Sequence, residues 1–590
     1  MMSCSHLLIL SVAISVSVGQ WPSVGVEPTT GAHAGDHTAT EPSEDTRRSV
    51  VCYDATRNVV FAARTHECRL NATNATRAAS ARLKNSINAT GWSYLELISS
   101  SRQPDIVQAY AAGVAEASVS HELIQLHIRN TYYTDCQTPR SELAEYCGRL
   151  TTFFEQNMNY MLQQINANRG DSYWRQIELL LYQLSGLEDA FLALNSTGKL
   201  PETMQINLNL NPMLLFQQLA GDLEDVEMAL DKPADFVKKV ASCSVLIKPT
   251  ADFSDFFVAH NTWVYYNFML RTLKMYKLNY RDVASKAISF SSYPGLLSSL
   301  DDYYITSSKL VVTETTNGNG NETLAKQHIR PASVFTWMRT MVANRLANSA
   351  PGWANTFAKE NSGTYNNQFM VVDYKKFVPG QPISPVTHKD LFWIAEQIPG
   401  HVHTEDMTGT LAAQGYWASY NVPYFAENYN VTGFPEKAQK YGDFYTHAGT
   451  PRALIFKRDQ ARVNCMRSLM KLMRYNNFKE DPLARCNCTP PYSARNAIAA
   501  RSDLNDPNGT YPFSELAHSA YGATDAKATN RELMSELQFV AAGGPPFEQV
   551  PAFSWLNASF AGSVAHHGQP DTWRFQPVIV KWSRHAQPFL

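Results

Sequence analysis

At 590 residues the chain is too long for a single compact core, so two domains or one large layered fold with additions is expected. Its 44% hydrophobic and 18% charged residues supply ample apolar material for an interior, which excludes a largely disordered protein. A formal net charge of −2 without a concentrated basic stretch argues against nucleic acid as the main partner.

Residues 6–19, HLLILSVAISVSVG, form an apolar run of signal-peptide length, and 1–19 is expected to be a signal peptide. No later run reaches the ~18 uninterrupted apolar residues of a membrane span, so no integral span is expected. Residues 20–50 are rich in Pro, Thr and Gly and read as a flexible leader, with folding starting near Cys52. Between about 91 and 232, apolar residues recur every three to four positions, as in LELISSS, DIVQAYAAGVAEA, YWRQIELLLYQLSGLEDAFLAL and MLLFQQLAGDLEDVEMAL. That pattern predicts a mainly helical portion over 51–242, stopped by Asp231, Lys232 and Pro233. From 243 the character changes. SVLIK, DFFVAH, AISFSSYPG, YYITSSKLVVTET, QFMVVDYKKF, RALIFKRDQ and PVIVKW read as strands, with FTWMRTMVANRLA and 466–473 as helices, so 243–590 is expected to be a layered α+β unit. Neither a GxxxxGK loop nor a GxSxG elbow occurs, which weakens nucleotide-binding and serine-hydrolase readings.

Nine Asn-x-Ser/Thr sequons, at Asn71, Asn74, Asn88, Asn195, Asn321, Asn430, Asn487, Asn508 and Asn557, fit the secretory route, with Asn487 between two cysteines expected to stay bare. Of the nine cysteines, Cys4 leaves with the signal peptide. Short separations suggest Cys136–Cys147 and Cys52–Cys68, while Cys486 and Cys488, also disulfide candidates, would close a strained short loop if joined to each other. Connectivity stays open. At least one thiol besides Cys243 should be free.

Cys243, in ASCSVLIK, has no CxxC partner and reads either as a small buried hydrophobe or as a nucleophile. A thiol attacks as thiolate, and cutting the Ser242–Cys243 bond would place an α-amine of pKa ~7.7–8.0 beside a thiol of ~8.5. His401 and His403 alternate in PGHVHTED, so both can face one side of a strand near Glu405 and Asp406, a pattern compatible with a metal. No third ligand spacing supports one, and neither metal nor cofactor is expected. His566 and His567 read as surface. Trp263, Tyr265, Tyr266 and Phe268 either line an acyl pocket or pack as core.

The strings CSVLIKP, VAHNTW, SSYPGLLSSLDDYY, NSGTYNNQFMVVDYK, EQIPGHVHTEDMT, YWASYNVPYF, PRALIFKRDQ, LMRYNNF and GQPDTWRFQPV resemble the phospholipase B-like family of lysosomal and secreted proteins, from about Gly91 to Trp582. The resemblance implies an N-terminal nucleophile hydrolase: a four-layer αββα sandwich, a precursor that cleaves itself before Cys243, and fragments that stay together. It implies removal of fatty acyl groups from glycerophospholipids, in the lysosome or after secretion. An N-acyl amidase acting on lipid-like amides and a catalytically weak binding glycoprotein are the alternatives, and pairing of two copies stays open.

A more distant similarity to choloylglycine hydrolases and acid ceramidases proposes roles. Their Arg-Asn pair corresponds to His260 and Asn261, and their amine-contacting aspartate to Trp263, so both positions depart from the pattern. Their Asn-Tyr/Phe-Pro-Gly turn corresponds to Ser292–Gly295, making Ser292 a weaker oxyanion donor or a turn residue. Their Asn-Ser-Pro-Thr segment corresponds to Asn361–Thr364, which names Asn361 as an oxyanion-hole donor, with turn capping as its alternative. Arg452 matches an active-site arginine, with a strand salt bridge as its alternative. For His260 the alternative is a core histidine satisfied by backbone.

Overall fold

Period-two alternation sorts the central strands into two faces. Along Ala241–Pro249, Val245 and Ile247 enter one buried cluster while Leu246 enters another. Its neighbour Phe256–Tyr265 repeats this, with Phe256 and Val258 on the first side and Phe257 and Ala259 on the second. A computed structural model describes residues 45–63, 68, 75–131, 135–136, 141–208, 210, 212–233 and 241–583. The expected signal peptide, most of the leader, and Asn71 and Asn74 lie outside the described residues.

Two large sheets carry the fold. The first has twelve strands in the order His401–Asp406, Phe392–Ile398, Asn367–Asp373, Leu310–Thr316, Tyr303–Thr306, Ala287–Ser292, Thr272–Lys277, Trp92–Ser99, Thr76–Ser86, Asp45–Asp54, Val59–Ala62 and Met204–Gln205. All its neighbours pair antiparallel except Trp92–Ser99 with Thr272–Lys277. The second sheet has seven strands: Trp417–Ser419, Ala241–Pro249, Phe256–Tyr265, Asp525–Thr529, Phe539–Gly543 and Val578–Val580 in order, with Tyr521–Ala523 also paired to Phe256–Tyr265.

Three apolar clusters join these sheets to each other and to helices. Leu273, Met275, Ile305 and Val311 of the first sheet share one cluster with Val245, Ile247, Val258 and Phe539 of the second. Leu95, Phe290, Tyr304, Val312 and Phe369 share another with helices Asp105–Thr131, Ser172–Thr197 and Thr336–Leu346. Leu246, Ala259 and Ala528 share the third with helices Pro451–Asp459 and Met466–Met473. The architecture is therefore mixed α+β. The two longest helices cross at backbone contact through Gly113 and Gly186: a Cβ at Gly186 would fall on the Tyr110 carbonyl oxygen, so the crossing requires glycine.

Several expectations need correction. The last residues of the leader expected over 20–50 belong to the strand Asp45–Asp54, which pairs with Thr76–Ser86. LELISSS is the strand Trp92–Ser99 and not a helix, because Leu95 and Leu97 alternate with Trp92 and Glu96 between two strand neighbours. The portion over 51–242 thus holds long helices, including Ala144–Ala167, but also edge strands of the first sheet. RALIFKRDQ lies on the helix Pro451–Asp459. Proline fits its first turn, and Arg452, Ile455, Phe456 and Asp459 are buried at helical spacing.

Cys52–Cys68 and Cys136–Cys147 are bonded, and Cys486 is joined to Cys488, the pairing that the short loop argued against. Cys243 and Cys465 are free, matching the one further unpaired thiol expected once Cys243 is set aside from the eight. Asn88, Asn195, Asn430, Asn487, Asn508 and Asn557 are exposed, whereas Asn321 is half-buried and caps the helix Glu322–His328. Among the described residues no helix is long and apolar enough to cross a membrane.

Candidate active site

Cys243 stands near the start of the strand Ala241–Pro249, opposite Thr262, and its side chain is 1% exposed. Its thiol donates to Glu314 Oε1 at 3.6 Å, and its backbone N–H donates to Asn421 Oδ1 at 3.1 Å. Arg452, delivered by the first turn of its helix, donates to the Cys243 carbonyl oxygen at 2.6 Å, to Asn421 Oδ1 at 2.7 Å and to the Tyr420 carbonyl at 2.6 Å. The same guanidinium lies 4.3 Å from the Trp263 ring. Asn421 holds a left-handed backbone at φ 67°, a conformation asparagine tolerates, and its amide nitrogen donates to the Thr316 carbonyl at 2.6 Å.

His260 shares the site. A ring nitrogen of His260, the Cys243 sulfur and a Glu314 carboxylate oxygen all lie within 4.8 Å of one another. Neither His260 nitrogen has a hydrogen-bond partner. Burial, with Lys527 and Arg271 nearby, holds the imidazole well below its ordinary pKa and therefore neutral. Burial drives the Cys243 thiol up, and Glu314 pushes it further. Burial and the neighbouring Asp302 raise Glu314 well above the usual carboxylate range. Arg452 is lowered to about 9 by burial. A closed ion network lies alongside: Lys527 donates to Thr262 Oγ1 and to Asp525, each at 2.7 Å, and reaches Asp301 at 3.3 Å, while Arg271 pairs with both aspartates. Burial brings Lys527 down to about 8 even though Asp525 opposes the shift.

A cleft of about 590 Å³ opens next to this cluster, lined by Ser242, Tyr265, Tyr420, Asn421, Arg452 and Arg495 among others. Cys243 itself does not line it; the residue before it does.

The structure brings Cys243, His260 and Arg452 together but leaves the other two nominated residues outside this set of contacts. Ser292 Oγ is spent on the Ser298 carbonyl at 2.6 Å, as turn chemistry. Asn361 donates to the Ile398 carbonyl and accepts from the Gly363 N–H, as a turn cap. Trp263, at the expected aspartate position, donates to Asn261 Oδ1 at 3.0 Å. Of the aromatic group, only Tyr265 lines the cleft; Trp263, Tyr266 and Phe268 are buried in three separate clusters. Asn421 and Glu314 were not singled out from sequence. Each left a signal: a carboxylate inside the apolar strand LVVTETT, and an asparagine just ahead of Val-Pro in SYNVPYF.

Among the described residues two groups have the ligand types and spacing to hold a metal: Cys243, His260 and Glu314, all buried, and His401, His403 and Glu427 at the surface. His566, half-buried, stacks on Trp555, and His567 is exposed.

A profile of the phospholipase B family matches residues 79–580, a span holding every residue of this site. The chain belongs to the phospholipase B family. It is 45% identical over 518 residues to a human protein named phospholipase B-like 2, covering 85% of each chain. It is 42% identical over 520 residues to phospholipase B-like 1 of Caenorhabditis elegans, covering 87% of this chain and 89% of the relative. Phospholipase B-like protein B of Dictyostelium discoideum is 35% identical over 533 residues, with 88% of each chain covered. For this family member the site thus lies within the span shared with its relatives.

Proposed function

We propose that the protein is an acyl hydrolase of the N-terminal nucleophile type, cut by itself between Ser242 and Cys243, which releases fatty acids from glycerophospholipids in the lysosome or after secretion. The observation that carries this is the position of Ser242 on the cleft wall with Cys243 sealed directly behind it. Breaking the bond before Cys243 uncouples Ser242, the residue between thiol and cleft, so that it can move aside. Two sheets sharing one apolar cluster, each backed by helices, support an αββα sandwich of that class.

The first cut happens before any α-amine exists, so a side chain must take the thiol proton. Glu314 already accepts from the sulfur, and its raised pKa makes it a stronger base once ionised. The thiolate attacks the Ser242 carbonyl carbon, the C–N bond breaks, and the amide nitrogen of Cys243 gains a proton. Water then hydrolyses the thioester, leaving a Ser242 carboxylate and a free amine on Cys243. Arg452 and Asn421 hold the Cys243 backbone through this change, and Asn421 Oδ1 is placed to accept from the new amine. Neutral His260 adds no competing charge beside the sulfur.

In turnover the thiolate attacks a lipid ester carbonyl, the amine returns a proton to the departing alcohol, and water frees the acid. Asn421 does not take over the donor role expected for Asn361: it turns its acceptor Oδ1 towards Cys243 and gives its amide N–H to the Thr316 carbonyl, so its part is to hold the Cys243 backbone. The cleft combines the rings of Tyr265, Tyr420 and Phe434 with the cations Lys437 and Arg495 and the acidic Glu224 and Glu515, a mixture that suits an acyl chain joined to a zwitterionic head. The two fragments stay associated, since one apolar cluster holds residues from before and after the cut, such as Leu187 and Val312.

Incubating the purified, cut protein with mixed phospholipid vesicles and quantifying released fatty acid tests this reading. Release by the parent and none by Cys243→Ala supports it; equal release by both contradicts it. The 1% exposure of Cys243 also favours one other reading, a binding glycoprotein whose thiol never opens, and that reading requires an uncut chain.

A further inference from the structure

We propose that His401, His403 and Glu427 form a binding site for a divalent transition-metal cation of the zinc class, on the outer edge of the twelve-stranded sheet. His401–Asp406 is the first strand of that sheet, so its free edge faces away from the other eleven. Residues two apart on a strand share a face, which puts both histidines on one side. The third ligand comes from the helix Ala426–Val431, whose first turn carries Glu427. Ligand atoms of the three lie within 4.8 Å of one another. Tetrahedral zinc bonded at about 2.0–2.1 Å separates its ligands by roughly 3.4 Å, so small rotations of the exposed His401 and Glu427 side chains close the set around His403.

Two features distinguish the group from a chance meeting of surface side chains. The His403 ring stacks on Phe425 with centroids 3.8 Å apart, which fixes its plane. Buried Glu396, the cross-strand partner of His403, accepts from the Tyr424 and Phe425 N–H groups and from the Asn428 amide, tying the start of the helix to the strand beside the histidines. Strand and helix are thus held in one geometry before any ion arrives. Glu405, two residues past His403, lies 3.1 Å from its Nε2 and braces the ring from outside the three converging ligands. Two imidazoles with a carboxylate suit Zn²⁺ and disfavour Mg²⁺ and Ca²⁺, which take oxygen sets. The half-exposed setting leaves a coordination position for water.

The test uses the full-length, untagged secreted protein, stripped with EDTA and titrated with ZnCl₂ at neutral pH by calorimetry, with MgCl₂ as the control cation. Zinc is expected to occupy this surface site, and magnesium is not. His401→Ala and His403→Ala should each weaken that site by about tenfold or more, Glu427→Gln should also weaken it, and substitution of the exposed His567, as His567→Ala, should leave it unchanged. His401 and Glu427 are exposed, so His401→Ala and Glu427→Gln should match the parent's thermal midpoint without zinc, whereas His403→Ala also loses its ring contact with Phe425; in all three the zinc-induced rise should be lost. Undiminished zinc binding in the His401→Ala, His403→Ala double variant, or no zinc binding by the parent, overturns the proposal.

Discussion

Arg452 donates to the carbonyl oxygen of Cys243 at 2.6 Å, from a helix more than two hundred residues away in sequence, and the same nitrogen donates to Asn421. One guanidinium thereby fixes both the proposed nucleophile and the amide that holds its N–H. Arg452→Lys keeps the charge but loses the fork that makes these bonds together. Charge-assisted bonds of this kind contribute about 1.5–3 kcal/mol each, so the cut at Cys243 should slow by at least about tenfold. Pulse–chase gels comparing the variant with the parent measure this, and an unchanged rate would place Arg452 outside the reaction.

Glu314 is the proposed base for the first cut. Glu314→Gln keeps the shape and an acceptor oxygen while removing the ability to take a proton, so self-cleavage should fall by about a hundredfold or more. Uncut chain should accumulate as folded protein, visible as one band on denaturing gels with a parent-like circular dichroism spectrum. Cleavage at the parental rate would rule out Glu314 as the base.

Asp302 predicts a pH dependence of stability. Burial raises its pKa to about 7, against 3.8 ordinarily, and it sits at φ 48°, where asparagine is tolerated. Between those values the folded state keeps a proton the unfolded state releases, so its contribution to stability is present below about 4 and lost as the pH climbs to about 7, at roughly 1.4 kcal/mol per unit. Asp302→Asn has nothing to ionise there. Its thermal midpoint should therefore rise relative to the parent between pH 4.5 and 7.5, and a constant difference across that range would refute the assignment.

Gly186→Ala should destabilise the folded chain by about 2 kcal/mol or more, because the added methyl meets the Tyr110 backbone and not a movable side chain. Thermal melts of parent and variant decide it. Gly198→Ala offers a contrast with open space around the new methyl, although its φ of 69° adds a backbone cost.

Much of the sheet content after residue 243 was legible, because runs such as SVLIK and QFMVVDYKKF are apolar strands flanked by polar turns. LELISSS misled because Leu95 and Leu97, two apart, and Leu95 and Ile98, three apart, fit both periods in so short a run. PRALIFKRDQ misled because its apolar core LIF imitates a strand, while the proline at its start and the buried positions 452, 455, 456 and 459 follow a helix. At the site, the local string named Cys243, while His260 and Arg452 came from the resemblance of the segments around them to distant relatives. Asn421 and Glu314 reach Cys243 only through tertiary contacts, and spacing along the chain carries no record of those. The third ligand of the surface histidine pair was hidden for the same reason, since Glu427 comes from a helix beyond the strand.

The most direct test is the N-terminal sequence of the smaller pieces in purified mature protein. A fragment beginning Cys-Ser-Val-Leu-Ile at position 243, absent from Cys243→Ala, is the expected result. A chain that runs unbroken through Ser242 and Cys243 yet hydrolyses phospholipid at full rate would contradict the account.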